Sequence, residues 1–250
     1  MNVQELDILN AIRKNPKLNQ REIANQSGYS LGFVNRVVKE LQEDKWLSLT
    51  GELSEKAKTF IKENQPQRAV ILAAGFGMRM VPINTEIPKG LMEVKGEVLI
   101  ERMIRHLHEV EITDIQVVVG FMKERYEYLI DEYNVQLVVN AEYQVKNNLH
   151  SLSKVKSSLD KTYIIPCDIW AEENPFSDFE PYSWYMVSDE MSVESTVRVN
   201  RKRELVVVDE EDDGNQMIGL CYVMGQEAKT VQKKLQEFSK KPSYDHEFWE

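Results

Sequence analysis

Residues 69–90 read AVILAAGFGMRMVPINTEIPKG. Ala69 to Ala74 is an unbroken apolar run, the pattern of a strand buried on both faces of a parallel sheet. Gly75 and Gly77 follow at once, where a backbone without side chains approaches a ligand closely and aims N–H groups at anionic oxygens. Arg79 adds a forked positive charge and Lys89 a point charge within the same loop, so the stretch reads as a polyphosphate cradle. It is not a Walker A loop, because no GK[ST] follows at the required spacing. Nor is it the dinucleotide fingerprint, because Met80 stands where the third glycine belongs. A G-x-G alone also fits a tight strand-to-loop turn with Arg79 as a surface charge.

Working outward, strand and helix patterns alternate. Ile100, Met103, Ile104 and Leu107 have helical spacing, and Ile115 to Val119 is apolar again. Met122 to Tyr133 reads as helix, Val135 to Val139 as strand, Leu149 to Leu159 as helix and Tyr163 to Ile165 as strand. Buried strands joined by helices predict an α/β fold, a Rossmann-like doubly wound mixed sheet. Farther on, Trp184 to Val187, Ser195 to Val199, Leu205 to Val208 and Gly219 to Met224 read as strands and Gln226 to Phe238 as a helix. Asp209 to Gly214, DEEDDG, is a solvated acidic turn. Ligands of open α/β sheets sit at the carboxyl ends of the strands. Gly75, Gly77, Gly120, Asn140 and Asp168 are expected there together.

The amino end has a different character. Leu6, Leu9 and Ile12 mark a first helix stopped near Pro16, and Asn19 with Glu22 resembles a capping box that opens a second helix, closed by Gly28. Ser30 caps a third, with Val34, Val37, Val38 and Leu41 as its apolar stripe. A short hairpin through Trp46–Leu49 and Leu53 precedes a helix from Ser54 with Ala57, Phe60 and Ile61 inward. Three helices and a hairpin spell a small winged helix-turn-helix domain over 1–63, a linker at 64–67 and a second domain over 68–250. The stretch LNQREIANQSGYSLGFVNRVVKELQEDKWLSLT resembles the winged helix of MarR-type regulators. If it docks on DNA, Ser30, Phe33, Asn35, Arg36 and Lys39 lie on or near the exposed side of the recognition helix. Its electrostatic footprint is poor, since residues 1–66 hold ten basic against nine acidic side chains and the wing Thr50-Gly51-Glu52 has no Lys or Arg. DNA docking through residues 1–63 and a dimerisation or regulatory role both stay open.

Composition sets the bounds. The chain has 250 residues, 42% hydrophobic and 29% charged, with net charge -10, and that acidity belongs to the second part. A whole-protein grip on nucleic acid or on an anionic membrane is disfavoured. With two cysteines, Cys167 and Cys221, and no apolar stretch near 18 residues, the expectation is a cytoplasmic protein without membrane, disulfide scaffold or zinc framework. A homodimer is among the expected states.

The glycine loop, IPKG at Ile87–Gly90 and an Asp closing a later strand occur in family order. With VVVGFMKERYEYL, NAEYQVKNNLHSL and YIIPCDIW they make Arg68 to Phe176 resemble the nucleotidyltransferases that begin L-A-A-G-x-G-[ST]-R…P-K. Within that group the likeness is to bacterial CTP:phosphocholine cytidylyltransferases of the lic type. One departure is Met78 where Ser or Thr is usual. The resemblance implies that Leu72, Ala73 and Gly75 line cytosine and ribose, that Gly77, Met78 and Arg79 hold the triphosphate, and that Lys89 neutralises the α-phosphate region. It further implies that Asp168 binds Mg²⁺, a hard ion better suited to a carboxylate than to the neighbouring Cys167. Lys89, Arg79 and Asp168 are thus the expected catalytic set, with CTP and phosphocholine as substrates.

For the acceptor, a quaternary ammonium calls for aromatic faces with carboxylates nearby. Tyr143, Trp170, Tyr182, Trp184, Tyr185 and Glu142 are available, and the family match favours Tyr143 and Asn148; Trp184 and Tyr185 also fit ordinary sheet core. No histidine is assigned to catalysis. The resemblance implies a second metal-bearing acid in a [FY]-W-[DE] context. Either Glu250 of Phe248-Trp249-Glu250 is that ligand, or the 250 residues stop short of the natural end.

Overall fold

The computed structural model describes residues 1–77, 86–200, 202–209 and 211–249. Met78, Arg79 and Glu250 therefore lie outside the described residues. The chain divides into two units, Met1–Gln65 with Asp178–Tyr182, and Pro66–Ser177 with Ser183–Glu250.

The first unit holds α1 (Val3–Lys14), α2 (Gln20–Ser27), α3 (Leu31–Glu43) and α4 (Glu55–Glu63). Local chemistry sets each start. Asn2 and Asn19 form complete capping boxes with Glu5 and Glu22, and the Ser30 and Ser54 hydroxyls accept from Phe33 N and Ala57 N. Gly28, at φ 73°, ends α2 in the left-handed region. Ile8, Leu9, Val34, Val37 and Leu41 form the centre of one apolar cluster. The expected hairpin shrinks to a single Leu47–Leu53 bridge, because Ser48–Glu52 closes as a compact hydrogen-bonded turn. Asp178–Tyr182 also belongs to this unit. Phe179 is buried there against Phe60 (centroids 6.0 Å), Asp178 pairs with Arg13 at 2.8 Å and the Tyr182 hydroxyl donates to Asp7.

The second unit runs β1 (Arg68–Ala73), β2 (Glu93–Val94), β3 (Glu97–Val98), α5 (Leu99–Glu109), β4 (Asp114–Val119), α6 (Tyr128–Tyr133), β5 (Gln136–Val139) and α7 (Asn148–Ser153). It continues with β6 (Thr162–Pro166), β7 (Trp184–Ser192), β8 (Val197–Val199), β9 (Leu205–Val207), β10 (Gly214–Val223) and α8 (Gly225–Phe238). The main sheet has the order β5-β4-β1-β6-β10-β7. Its first four strands are parallel, with Ile71 opposite both Val117 and Ile165, and β10 and β7 add antiparallel.

Strand alternation sends Ala69, Ile71 and Ala73 to one face, against Ile100, Ile104 and Leu107 of α5 and Leu129 of α6. Val70 and Val118 go to the other, against Leu149 and Leu152 of α7 and Ala228 and Leu235 of α8. Helices on both faces make the sheet doubly wound, as the apolar runs predict. Two expected helices change in detail: that over 122–133 is a 3₁₀ turn at Lys123–Tyr126 followed by α6, and that over 149–159 is α7 plus a separate 3₁₀ turn at Lys156–Ser158. A small β2–β3 hairpin precedes α5. Among the described residues no helix is long and apolar enough to cross a membrane.

Candidate active site

The carboxyl ends of β1, β4, β5 and β6 open into one cavity of about 670 Å³. Leu72, Ala74, Gly75, Phe76 and Gly77 form one side of it; Phe121, Tyr143 and the Gln144–Asn148 loop form another; Lys89, Ser151, Pro166, His246 and Phe248 contribute the rest. Gly77 takes φ 70°, a conformation that favours glycine, while a Cβ on Gly75 would meet nothing within 4 Å. The glycine loop therefore keeps its backbone open to the cavity.

Lys89 begins a 3₁₀ turn after Pro88 and its Nζ lies 2.9 Å from Asp168 Oδ2. Gly90 makes that approach feasible, because a Cβ there would sit 3.0 Å from Cys167 Cβ and 3.1 Å from the Tyr126 hydroxyl. Cys167 is buried, and desolvation pushes its thiol up to about 12, so it fills space as a neutral group while Asp168 beside it, 37% exposed, reaches the surface. Mg²⁺ keeps much of its water shell and shares further sites with substrate phosphates, so it needs only one or two protein carboxylates. Asp168 fits that requirement. Among the described residues no three His, Cys, Asp or Glu side chains group to hold a metal by themselves.

The aromatic wall is built by close packing. Phe76 meets Phe121 edge-on (centroids 4.6 Å) and Phe121 tilts onto Tyr143 (6.5 Å). Asn140, fully buried, turns the chain after β5: its Nδ2 donates to Ser151 Oγ at 3.0 Å and its Oδ1 accepts from Glu142 N at 3.1 Å. Glu142 is then a hub, with Lys146 at 2.9 Å, His150 Nε2 at 2.7 Å and Lys154 at 3.4 Å. Hydrogen bonds from Lys146 and His150 hold its carboxyl down at about 2. The chain near the carboxyl end straps this loop: Asn147 N donates to Asp245 O at 2.6 Å, Asn147 Nδ2 to His246 O at 3.0 Å and Trp249 N to Asn148 Oδ1 at 2.9 Å.

Of the residues expected from sequence, Leu72, Gly75, Gly77, Lys89, Tyr143 and Asn148 line the cavity, and Asp168 joins through Lys89. Ala73 turns its side chain into the core. Glu142 and Trp184 do not line the cavity. Glu142 is engaged by Lys146, Lys154 and the His150 ring, and Trp184 packs on the core beside Tyr163 (centroids 6.0 Å). Trp170 lies under Lys95 and Arg102, and Tyr182 belongs to the first unit. Phe76, Phe121, Lys146, His246 and Phe248 were not expected. Phe76 inside the glycine motif and Phe121 after Gly120 carry a signal, since each lies within three residues of a strand's carboxyl end.

In the first unit, Asn35, Arg36 and Lys39 of α3 are exposed, Arg36 covers the Phe33 ring at 5.0 Å and Lys39 pairs with Glu43 at 3.6 Å. Ser30 is engaged as the cap of α3.

Comparison with known proteins gives the following. The family described as MobA-like NTP transferase domain matches residues 69–171, and that described as winged helix-turn-helix DNA-binding matches residues 1–47. A choline-phosphate cytidylyltransferase of Streptococcus pneumoniae is 42% identical over 109 residues, 44% of this chain and 48% of that protein. A 2-aminoethylphosphonate cytidylyltransferase of Lancefieldella rimae is 30% identical over 197 residues, 73% of this chain and 77% of that protein. The chain thus spans about half the length of the choline-phosphate relative and over three quarters of the phosphonate one. The solved CTP:phosphocholine cytidylyltransferase of S. pneumoniae superposes with TM-score 0.67 at 28% identity, over 74% of this chain and 82% of that one.

Proposed function

This chain belongs to the MobA-like nucleotidyltransferase family, and from that premise we propose that it is a Mg²⁺-dependent cytidylyltransferase moving CMP from CTP to phosphocholine. The observation that carries this reading is the single cavity in which the glycine loop and Lys89, with Asp168 beside it, meet an aromatic wall of Phe76, Phe121 and Tyr143. Polyphosphate chemistry and recognition of an organic cation then share one chamber.

Leu72 and Gly75 border the nucleoside, and backbone N–H groups near Gly77 face the triphosphate, with Met78 and Arg79 assigned to the same task. An oxygen of the phosphocholine phosphate attacks the α-phosphorus of CTP in line; a new P–O bond forms as the bond to the β-phosphate oxygen breaks, and pyrophosphate leaves with that electron pair. A phosphate dianion is already nucleophilic, so no general base is needed. Lys89 holds its charge beside the oxygens on which negative charge grows, where a preorganised donor acts most strongly. Asp168, with Glu250 as the second assigned carboxylate, would hold Mg²⁺, which when bound neutralises charge on the phosphates. Aromatic faces attract a trimethylammonium without demanding hydrogen bonds from it, and Asn148 orients the acceptor's polar end.

The test is pyrophosphate release from CTP and Mg²⁺ with phosphocholine, phosphoethanolamine, 2-aminoethylphosphonate and glucose 1-phosphate. The expected outcome is the highest kcat/KM with phosphocholine. Preference for a phosphonate or sugar phosphate would reassign the acceptor, and no release with any of them would favour a nucleotide-sensing regulator. For residues 1–63, the exposed Asn35, Arg36 and Lys39 on α3 favour DNA docking. Duplex binding by the full chain that weakens steeply with salt supports it, and salt-independent or absent binding favours a dimerisation or regulatory role.

A further inference from the structure

Lys146 stands between the cavity and two carboxylates. Its side chain lines the cavity, while Nζ lies 2.9 Å from Glu142 Oε1 and 3.7 Å from Asp245 Oδ1, neither of which belongs to a lining residue. Behind it, Glu142 is fixed independently by His150 at 2.7 Å and Lys154 at 3.4 Å, and the Asp245 backbone by Asn147 N at 2.6 Å. The carboxylate pair is therefore a formed alkylammonium site already filled by the protein's own lysine.

That matters for an acceptor ending in a cation. A quaternary ammonium has no N–H to satisfy and can exchange water for the rings of Phe76, Phe121 and Tyr143. A primary ammonium carries three donors, and burying them against rings alone leaves them unpaired. We propose that Lys146 is a specificity-determining residue, which occupies the Glu142–Asp245 pair with its own ammonium and so denies that pair to acceptors ending in a primary ammonium. This rests on the reading that the cavity takes a cationic phospho-acceptor.

The experiment compares Lys146→Ala with the unaltered full chain, using CTP, Mg²⁺ and either phosphocholine or phosphoethanolamine. The ratio of kcat/KM for phosphoethanolamine over that for phosphocholine is expected to rise about tenfold or more, the scale of a regained charge-assisted hydrogen bond. Lys146→Arg should keep the original ratio, and millimolar methylammonium added to Lys146→Ala should push the ratio back down by refilling the pair. Lys146→Ser carries the same expectation should the alanine variant fold poorly. An equal fall with both acceptors, in a variant that folds, would overturn the inference while leaving the cytidylyltransferase reading intact. Failure of the unaltered protein to use either acceptor would remove the reading itself, and this inference with it.

Discussion

Gly120→Ala is the sharpest probe of how the cavity is built. Gly120 follows β4, and a Cβ added there would stand 2.7 Å from Ala74 O, 2.7 Å from Tyr143 Cβ and 2.8 Å from Tyr143 Cγ. All three lie far inside the roughly 3.5 Å at which such atoms are comfortable. None is the end of a flexible side chain, and Ala74 O is tied down because it accepts from Phe121 N at 3.0 Å. Either the β1–β4 loops separate or Tyr143 leaves its place, and overpacking of this kind costs about 1–3 kcal/mol. With urea m-values of about 1–3 kcal/mol per molar, the unfolding midpoint should fall by about 1 M. Gly75→Ala is the internal control: its Cβ meets nothing within 4 Å, so stability should stay within about 0.5 kcal/mol while the added methyl at the cavity wall raises KM for CTP. Equal midpoints for the two variants in urea titrations of the full chain would refute the steric reasoning.

Three further expectations follow from the same geometry. Lys89→Met removes the cation 2.9 Å from Asp168, and kcat for pyrophosphate release should drop by about 10²–10³ with the fold retained by circular dichroism. The Glu142 carboxyl is held near 2 against an ordinary 4.5, so its ion pairs stabilise the folded chain above about pH 4.5 and lose that contribution as pH falls toward 2. Glu142→Gln should therefore lower the melting temperature at pH 7, with a gap to the unaltered protein that closes on acidification. Cys167, buried with its thiol pushed up to about 12, should resist iodoacetamide at pH 8 in the native protein and react once urea unfolds it.

Much of the architecture was legible because it is written locally. Asn19 with Glu22, Ser30 and Gly28 mark helix ends through bonds spanning three or four residues, and the unbroken runs at Ala69–Ala74 and Ile115–Val119 announce strands buried on both faces. The placement of Gly75, Gly77 and Asp168 at the carboxyl end of the sheet follows from parallel strands sharing a direction. Other features had no local signal. Phe179 lies far along the chain from Phe60 and packs in the amino-terminal unit because its ring completes an aromatic cluster there. Glu142 looked available for an acceptor, but Lys146, His150 and Lys154 engage it from a loop and helix whose course depends on Asn140. Trp184 looked like a candidate platform, but strand alternation directs it onto Tyr163.

From the order of its residues alone, the chain fixes most helix and strand segments, that a winged helix precedes a doubly wound sheet in sequence, and where the glycine loop must lie. These depend on periodicity and on caps, which act within a few positions. Only the folded chain decides which aromatic rings face the chamber, that Gly90 lets Lys89 come beside Asp168, and that Lys146 covers two carboxylates. Apart from the Lys146–Glu142 pair, which lies four positions apart, those are contacts between residues tens of positions apart, and their sign and partner are set by packing distance rather than by neighbours in sequence.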